Sequence, residues 1–227
     1  MLKKRLIPVL IYNNGRLVQS INFKHPMAIC NALTKVSFFN KWSVDEIIII
    51  DVAREKKNRN KFYEVISKIS KKCFVPLTVG GWIQDIDEIK FLLSIGADKI
   101  ITNTQSFENH NFLEEAAIKF GSQCIVVSID VKFLEGQYYV FIDRGREKTN
   151  VNPVEWAIKS EKLGAGEIFL TSIDNDGSRK GYDLKLMNSV TSNINIPVIG
   201  FGGVWEWSHL RDGVNIGGLD GLGVGNV

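Results

Sequence analysis

The sequence has no apolar run that approaches the length of a membrane span and no recognisable secretion signal. Asn13, Asn14 and Gly15 interrupt the short apolar run near the basic N-terminus, whereas a signal peptide needs a longer run and a cleavage site of small residues. The 227 residues include only 3 cysteines, and these are far apart. An odd number of cysteines without a secretion signal predicts reduced thiols in a cytoplasmic protein that does not bind a membrane.

An excess of charge is also missing, since 28 lysines and arginines are balanced by 25 aspartates and glutamates. The basic residues form no stripe interleaved with aromatic residues, so nucleic acid is not an expected partner. The 3 histidines are isolated, no cysteine is paired with a histidine, and no serine stands in a nucleophile-elbow pattern. We therefore expect no metal site and no bound cofactor.

Eight short apolar segments recur along the chain, and amphipathic segments lie between them. The short segments are apolar on both faces, as expected of parallel strands that are covered on both sides. Helical patterns are clear at 58–72, at 86–95 after the N-cap candidate Asp85, and at 153–163, which opens with a proline. Alternation of strands and helices predicts a parallel sheet. The predicted strands are 6–11, 47–50, 74–79, 99–102, 124–129, 167–172, 196–200 and 221–224.

An internal repeat favours a closed sheet over an open one. Segments 46–51, 76–81 and 96–103 are echoed, in order and spacing, by segments 167–174, 197–203 and 218–226. We therefore predict that residues 1–227 form a single (β/α)8 TIM barrel built from two similar halves, with a small hairpin inserted within 131–150. The sequence ends just after predicted strand eight, so we expect a chain truncated before the helix that would cover this strand.

Polar residues and glycines follow most of the predicted strands, at the rim where barrel enzymes have their active sites. Gly80-Gly81 and Gly202-Gly203 occupy corresponding places in the two halves, and glycines let backbone N–H groups approach an anion closely. Two such pairs predict two phosphate sites and a long bis-phosphorylated substrate, although each pair alone is also compatible with a tight turn. The predicted phosphate and substrate residues are Asp51, Gly81, Asn103, Thr104, Asp176, Gly177, Gly202, Gly203, Gly225 and Asn226.

Asp130 is the candidate general acid or base because it ends an otherwise apolar strand and should point into the barrel mouth. Burial there would raise the pKa of its carboxyl group towards a useful value. A turn aspartate with a purely structural role is the alternative. The internal repeat places Ile11 opposite Asp130, where a two-carboxylate site would need a second acid.

A second polar set lies at the opposite ends of the predicted strands and has charges of both signs. Such residues could form a ring of ion pairs at the bottom of the barrel, and the usual role of that face is stability. The members of this set are Arg5, Glu46, Lys99 and Glu167.

Several of these segments, taken together, resemble the cyclase subunit of imidazole glycerol phosphate synthase almost from end to end. The resemblance implies a bis-phosphorylated ribulosyl substrate and ammonia that a glutaminase subunit delivers through the barrel from its bottom face. It also implies that the bottom set of charged residues is the gate through which ammonia enters, and that the phosphate sites lie as predicted above. The matching segments are 1–8, 14–18, 76–81, 96–99, 120–124, 164–168, 176–177 and 181–183.

Four positions depart from the pattern of that family. Ile11 stands in place of a second catalytic aspartate, and Gln19 stands in place of a loop lysine near a phosphate. Trp82 replaces a glycine, and Phe201 replaces a serine beside the second glycine pair. A diverged subgroup that works with a glutaminase-like subunit and an amidotransferase to amidinate surface-polysaccharide sugars is therefore an alternative. A phosphosugar isomerase on a related barrel is a third reading, which leaves the bottom charges unexplained.

Overall fold

The computed structural model describes residues 3–42, 44–54 and 59–225. All strands of the described residues join one twelve-stranded sheet. In chain order they are β1 (Arg5–Asn13), β2 (Arg16–Ile21), β3 (Lys24–Cys30), β4 (Ile47–Asp51), β5 (Leu77–Gly80), β6 (Lys99–Thr102), β7 (Ile125–Leu134), β8 (Gln137–Ile142), β9 (Glu147–Lys148), β10 (Glu167–Ser172), β11 (Val198–Phe201) and β12 (Gly221–Val224).

Eight of these strands run parallel and close on themselves. The pairing order is β10, β11, β12, β1, β4, β5, β6 and β7, and β7 pairs again with β10. The predicted closed (β/α)8 barrel is therefore confirmed. In this ring β1 lies opposite β7, and β5 lies opposite β11, so residues at corresponding heights on those strands face each other across the barrel axis.

The helices pack outside the strands and begin at residues suited to that position. Asp85 accepts a hydrogen bond from the backbone N–H of Glu88, and Asn152 accepts one from Val154 directly ahead of Pro153. The Asp85 cap and the proline in the first turn of the second helix match the sequence-based predictions, whereas the Asn152 cap was not predicted. The helices are α1 (Ala32–Lys41), α2 (Arg59–Ser70), α3 (Ile86–Ser94), α4 (Thr104–Glu108), α5 (His110–Phe120), α6 (Pro153–Lys162), α7 (Leu184–Thr191) and α8 (Trp207–Asn215).

The hydrophobic core has two layers because alternate side chains of each strand point to opposite faces. The larger layer lies between the strands and the helices. The smaller layer fills the inside of the barrel, and we call it the apolar column. It consists of Ile7, Val9, Ile48, Ile101, Val126, Phe169, Ile199 and Phe201.

Two antiparallel hairpins extend the barrel at its upper rim, which is the rim formed by the C-terminal ends of the parallel strands. The hairpin predicted within 131–150 is present, because β7 continues into β8 and β9. Strands β2 and β3 form a second hairpin on β1, which the sequence analysis did not predict. Its residues are mostly exposed, so they lack the apolar pattern that marks buried strands.

Some predicted boundaries were wrong. Phe74 is not in a strand, and its side chain is 87% exposed in the turn before β5. Cys124 belongs to a short 3-10 turn, and β7 extends five residues beyond the predicted end at 129 because it becomes a hairpin arm. Asn58, the predicted start of a helix, lies outside the described residues. Within the described parts of the chain, every helix is too short or too polar to cross a bilayer.

Candidate functional site

A cavity of about 810 Å³ opens at the upper rim, and we call it the upper cavity. Its wall combines apolar side chains from inside the barrel with polar groups from the loops that follow the strands. Ile11 and Phe201 contribute to the apolar part, and Asp130, Asn103 and Asp176 contribute to the polar part. A concave pocket with a few convergent polar groups at this end of a barrel is the expected place for a small-molecule site.

Asp130 lies inside this cavity with its side chain almost fully buried. The Asn103 amide donates a hydrogen bond of 3.0 Å to one carboxylate oxygen, and the Ser128 hydroxyl donates one of 3.2 Å to the other. No cation among the described residues pairs with this carboxylate. Burial therefore raises the pKa of Asp130 to about 7, and the nearby charge of Asp176 acts in the same direction.

The wall opposite Asp130 is apolar. Ile11 extends from β1 into the upper cavity, whereas Asp130 extends from β7 on the other side of the barrel axis. Thr171 pairs with Asp130 in the strand register, and its buried hydroxyl lies close enough to the Asp130 carboxylate to lower the pKa of that group, against the larger effect of burial. Asp130 is thus surrounded by neutral hydrogen-bonding groups on its own side of the cavity.

The first predicted phosphate region lies beside Asn103 and Thr104, at the end of β6. The Thr104 hydroxyl accepts a hydrogen bond of 3.0 Å from the backbone N–H of Asp143, which fastens the β8–β9 turn to this side of the cavity. Gly81 lies on the same side with φ +96°, and a Cβ atom there would meet the Asp51 carbonyl oxygen at 2.1 Å. Close backbone packing therefore requires glycine at position 81.

The second predicted phosphate region lies on the far side of the barrel, where Gly177, Gly202, Gly203 and Gly225 line a small pocket of about 30 Å³. A Cβ atom at Gly203, which has φ +91°, would lie 2.2 Å from the Gly181 carbonyl oxygen. The requirement of a tight turn thus accounts for this glycine as well, whether or not an anion binds. Asn226, the last residue predicted for this region, lies outside the described residues.

Two of the predicted substrate residues have strong partners within the protein. The buried carboxylate of Asp176 accepts hydrogen bonds from the Ser20 hydroxyl and the Phe23 backbone N–H, and so ties the β2–β3 hairpin to the loop after β10. Asp51 accepts a hydrogen bond from Arg59 at 3.2 Å. Burial raises the pKa of both carboxyl groups. Both residues line the upper cavity, but both oxygens of Asp51 and the Oδ2 atom of Asp176 already accept hydrogen bonds from neighbouring residues.

The four charged residues predicted for the bottom of the barrel meet in a closed set of ion pairs, which we call the ion-pair ring. Arg5 contacts Glu46 at 2.8 Å and also contacts Glu167. Lys99 contacts Glu46 and Glu167, each at 3.0 Å. The Thr78 hydroxyl donates a further hydrogen bond to Glu46. Each carboxylate thus bridges both cations.

The apolar column separates the ion-pair ring from Asp130. On β7, Val126 of the column lies below Ser128 and Asp130, and on β10, Phe169 lies between Glu167 and Thr171. The barrel interior therefore changes along its axis from charged, through apolar, to a polar cavity that contains the buried carboxylate of Asp130.

Comparisons with known proteins identify the family. The family model described as histidine biosynthesis protein matches residues 5–227. A Vibrio vulnificus (strain YJ016) protein, whose name proposes it as imidazole glycerol phosphate synthase subunit hisF2, is 42% identical over 100% of this chain and 84% of its own length. This chain belongs to the histidine biosynthesis protein family.

Two further relatives have the name imidazole glycerol phosphate synthase subunit HisF. The protein from Exiguobacterium sp. (strain ATCC BAA-1283 / AT1b) is 40% identical over 92% of this chain and 82% of its own length. The protein from Clostridium botulinum (strain Okra / Type B1) is 43% identical over 93% of this chain and 85% of its own length. The resemblance noted in the sequence is therefore confirmed at the level of the family.

The four positions singled out in the sequence, Ile11, Gln19, Trp82 and Phe201, line the two pockets at the upper rim. Phe201 stacks on Phe169 with ring centroids 5.5 Å apart, and its ring fills space beside Gly225. Trp82 donates a hydrogen bond of 2.8 Å from its indole nitrogen to the Ala53 carbonyl. Gln19 lines the small pocket.

Sequence reasoning missed two arginines of this histidine biosynthesis barrel that line the two regions. Arg144 lines the upper cavity, and Arg179 lines the small pocket. Arg144 follows Asp143 in a polar turn, and Arg179 lies in a run of polar residues after Gly177. Surface loops commonly contain arginine, so nothing in the local sequence marks either residue as part of a site.

Proposed function

We propose that this chain is the cyclase-type subunit of an imidazole glycerol phosphate synthase, and that it uses ammonia from a glutaminase partner on a phosphorylated, ribulosyl-type substrate. The observation that carries the proposal is the axial order of the ion-pair ring, the apolar column and Asp130 within one barrel. Ammonia would enter at the ring, cross the column and meet the substrate beside Asp130.

The chemistry assigned to Asp130 is proton transfer. A general acid or base works best when its pKa lies near the working pH, and burial raises the pKa of Asp130 to about 7. Addition of ammonia to a carbonyl and closure of a ring both require that protons be moved at the reacting atoms. The Asp130 carboxyl group can exchange protons without breaking an ion pair, because no cation among the described residues holds it.

The ion-pair ring is suited to the passage of neutral ammonia rather than of ammonium ion. Its two cations and two carboxylates satisfy one another, so an ammonium ion would have to displace Arg5 or Lys99 to gain a partner. Neutral ammonia can pass an apolar column, whereas a charged ammonium ion would pay a large desolvation cost there. Well-packed apolar residues often stabilise such a position at least as well as buried ion pairs, which favours a functional reason for the ring.

A second candidate function is supported by Ile11. The side chain on the wall opposite Asp130 is an isoleucine, which cannot transfer a proton. Loss of a catalytic acid or base typically lowers a rate by about 10²–10⁴. We propose as the alternative that the chain mainly conducts ammonia or serves as a scaffold in an amidotransferase complex that amidinates surface-polysaccharide sugars. The ion-pair ring would serve both functions, whereas Asp130 is needed only for the first.

The test is product formation by the whole protein with the ribulosyl-type substrate, supplied either with ammonium salt or with glutamine and the glutaminase subunit. We expect Asp130→Asn to abolish product from both nitrogen sources. Lys99→Ala should keep the fold, because Arg5 still pairs with both carboxylates, but should reduce glutamine-dependent product more than ammonium-dependent product. The matched control is Lys90→Ala, which changes an exposed lysine on α3.

Three outcomes separate the candidates. Wild-type product from both sources, lost in Asp130→Asn, supports the cyclase-type subunit. A stable complex with a glutaminase, but no product from either source, favours the ammonia-conducting alternative. If no glutaminase binds, or if Lys99→Ala lowers thermal stability alone, the ring has only a structural role.

A further inference from the structure

Each of the two glycine pairs at the upper rim is accompanied by an arginine stacked on a tryptophan. Beside Gly80-Gly81, the guanidinium carbon of Arg144 lies 4.6 Å from the ring centre of Trp82. Beside Gly202-Gly203, the guanidinium carbon of Arg179 lies 3.8 Å from the ring centre of Trp205. Because β5 and β11 lie opposite each other in the barrel, the two stacks flank opposite sides of its mouth.

Three of these four residues have backbones in the left-handed region. Trp82 has φ 60°, Arg144 has φ 59° and Arg179 has φ 63°. Residues other than glycine adopt this conformation at an energetic cost, and such strain is concentrated at functional sites. Phe23 and Glu135 adopt the same conformation in hairpin turns, so it does not by itself mark a site. At Trp82, Arg144 and Arg179 it accompanies the stacking of the guanidinium groups on the tryptophan rings.

The two arginines retain N–H groups for a ligand. Within the described chain, Arg179 is exposed and has no carboxylate partner, so its stack on Trp205 is what orients it. Arg144 donates to the Ala53 carbonyl and forms an ion pair of 3.0 Å with Asp143. These two contacts leave three of the five N–H groups of its guanidinium for a ligand. The face of an aromatic ring attracts a guanidinium and leaves its N–H edge free to bind an anion.

We propose that Arg144 and Arg179 are the cationic anchors for the two terminal phosphate groups of the substrate, each held in position by its tryptophan. This inference rests on the phosphorylated substrate of the proposed function and names the groups that bind it. Arginine presents parallel N–H donors that match phosphate oxygens, and such charge-assisted hydrogen bonds are among the strong ones. Arg179 also restores positive charge to a pocket in which Gln19 supplies none.

The experiment is a titration of the full chain with inorganic phosphate, followed by the indole N–H signals of its 5 tryptophans in nitrogen-15 NMR spectra. Trp82→Phe and Trp205→Phe assign the two reporter signals. A chloride titration at equal ionic strength measures the nonspecific effect of salt. We expect saturable shifts of both reporters with phosphate, while the buried Trp156 signal stays in place.

Single arginine variants then separate the two sites. Arg144→Gln should weaken phosphate binding at the Trp82 reporter by about tenfold or more and leave the Trp205 reporter unchanged, and Arg179→Gln should do the reverse. The matched control is Arg211→Gln, which removes an exposed arginine that pairs with Asp212 on α8. Arg179→Lys should fall between the wild type and Arg179→Gln, because it retains the charge but loses the planar fork.

Saturable binding that follows this pattern supports the anchors. The proposal is overturned if neither reporter responds to phosphate beyond the chloride control, or if both glutamine variants bind phosphate as tightly as the wild type. Because the titration needs no turnover, these results stand apart from the proposed reaction. If the protein binds phosphate in this pattern but forms no cyclised product, the result supports the anchors and contradicts the cyclase-type function.

Discussion

The two ends of the barrel hold buried carboxylates in opposite situations. At the bottom, Glu46 and Glu167 each contact both Arg5 and Lys99. At the top, the partners of Asp130 among the described residues are neutral amide and hydroxyl groups, and burial raises its pKa to about 7. The same chemical group is thus neutralised by cations at one end and left to titrate at the other.

This difference separates a structural use of charge from a chemical one. A carboxylate that contacts two cations is held in a fixed position by them. A carboxylate that is buried without a cation changes its protonation near neutral pH, as proton transfer requires. The apolar column between the two sets keeps the charges of one end from satisfying those of the other. Each of the following predictions disturbs one side of this contrast.

The largest expected effect is on turnover. Asp130→Asn keeps the shape of the side chain and its contact with Asn103, but it removes the group that titrates near neutral pH. We expect product formation to fall by about 10²–10⁴ with either nitrogen source, as is typical for loss of a general acid or base. Steady-state assays measure this, with Asp212→Asn on the outer surface of α8 as the control. A loss of less than tenfold would mean that Asp130 has no part in proton transfer.

The next effect is on stability as a function of pH. Because the folded-state pKa of Asp130 is raised to about 7 and its unfolded value lies near 3.9, the folded protein binds more protons than the unfolded protein between these values. The wild type should therefore lose stability as pH rises from about 4 to about 7 and level off above that range. Asp130→Asn does not lose stability in this way. Its free energy of unfolding, relative to that of the wild type, should therefore rise by up to about 4 kcal/mol over this pH range.

Denaturant titrations of both proteins at several pH values check this prediction. Other titrating groups are common to the two proteins, so the difference between their unfolding free energies isolates Asp130. A difference that stays constant between pH 4 and pH 8 would show that the carboxyl group of Asp130 is not perturbed in the folded protein.

Much of the fold and part of the site could be predicted from the sequence, because they depend on repeating local patterns. The eight parallel strands follow from apolar segments and their spacing, and Asp130 and the ion-pair ring follow from polar residues at strand ends. What could not be predicted depends on contacts between distant loops. The stack of Arg144 on Trp82 joins residues 62 positions apart, and Asp176 binds the β2–β3 hairpin from more than 150 residues away.

The ion-pair ring provides the third prediction. Glu46→Leu removes the carboxylate that pairs with Arg5 and Lys99 at once, and it leaves the Thr78 hydroxyl without its acceptor. We expect a loss of about 3 kcal/mol in the free energy of unfolding, at the lower end for a broken buried ion pair because both cations are partly exposed. Denaturant titration measures this loss.

The contrast with a fully apolar replacement sharpens that result. Replacing the four ring residues together, as Arg5→Met, Glu46→Leu, Lys99→Met and Glu167→Leu, leaves no stranded charge. Such replacements are often neutral or stabilising, so the quadruple variant should regain most of the stability that Glu46→Leu loses. If it did so and still coupled glutamine hydrolysis to product formation, the ring would not be needed for ammonia to enter.

The smallest expected effect comes from restoring a carboxylate to the wall opposite Asp130. Ile11→Asp places a second acid in the upper cavity, across the barrel axis from the first. Because Phe201 and Trp82 still shape the cavity walls, we expect turnover to rise by less than about tenfold, well short of the full contribution of a general acid or base.

The second negative charge should also raise the pKa of Asp130 further, since like charges disfavour ionisation. The limb of the pH–rate profile that reports the titration of Asp130 should therefore move towards higher pH in Ile11→Asp relative to the wild type. Ile11→Asn is the matched control, because it introduces a polar side chain of similar size without the charge and should leave that limb in place. A rise by about 10²–10⁴, the full contribution of a general acid or base, would mean that Ile11 alone limits the reaction and that the aromatic residues at the rim do not.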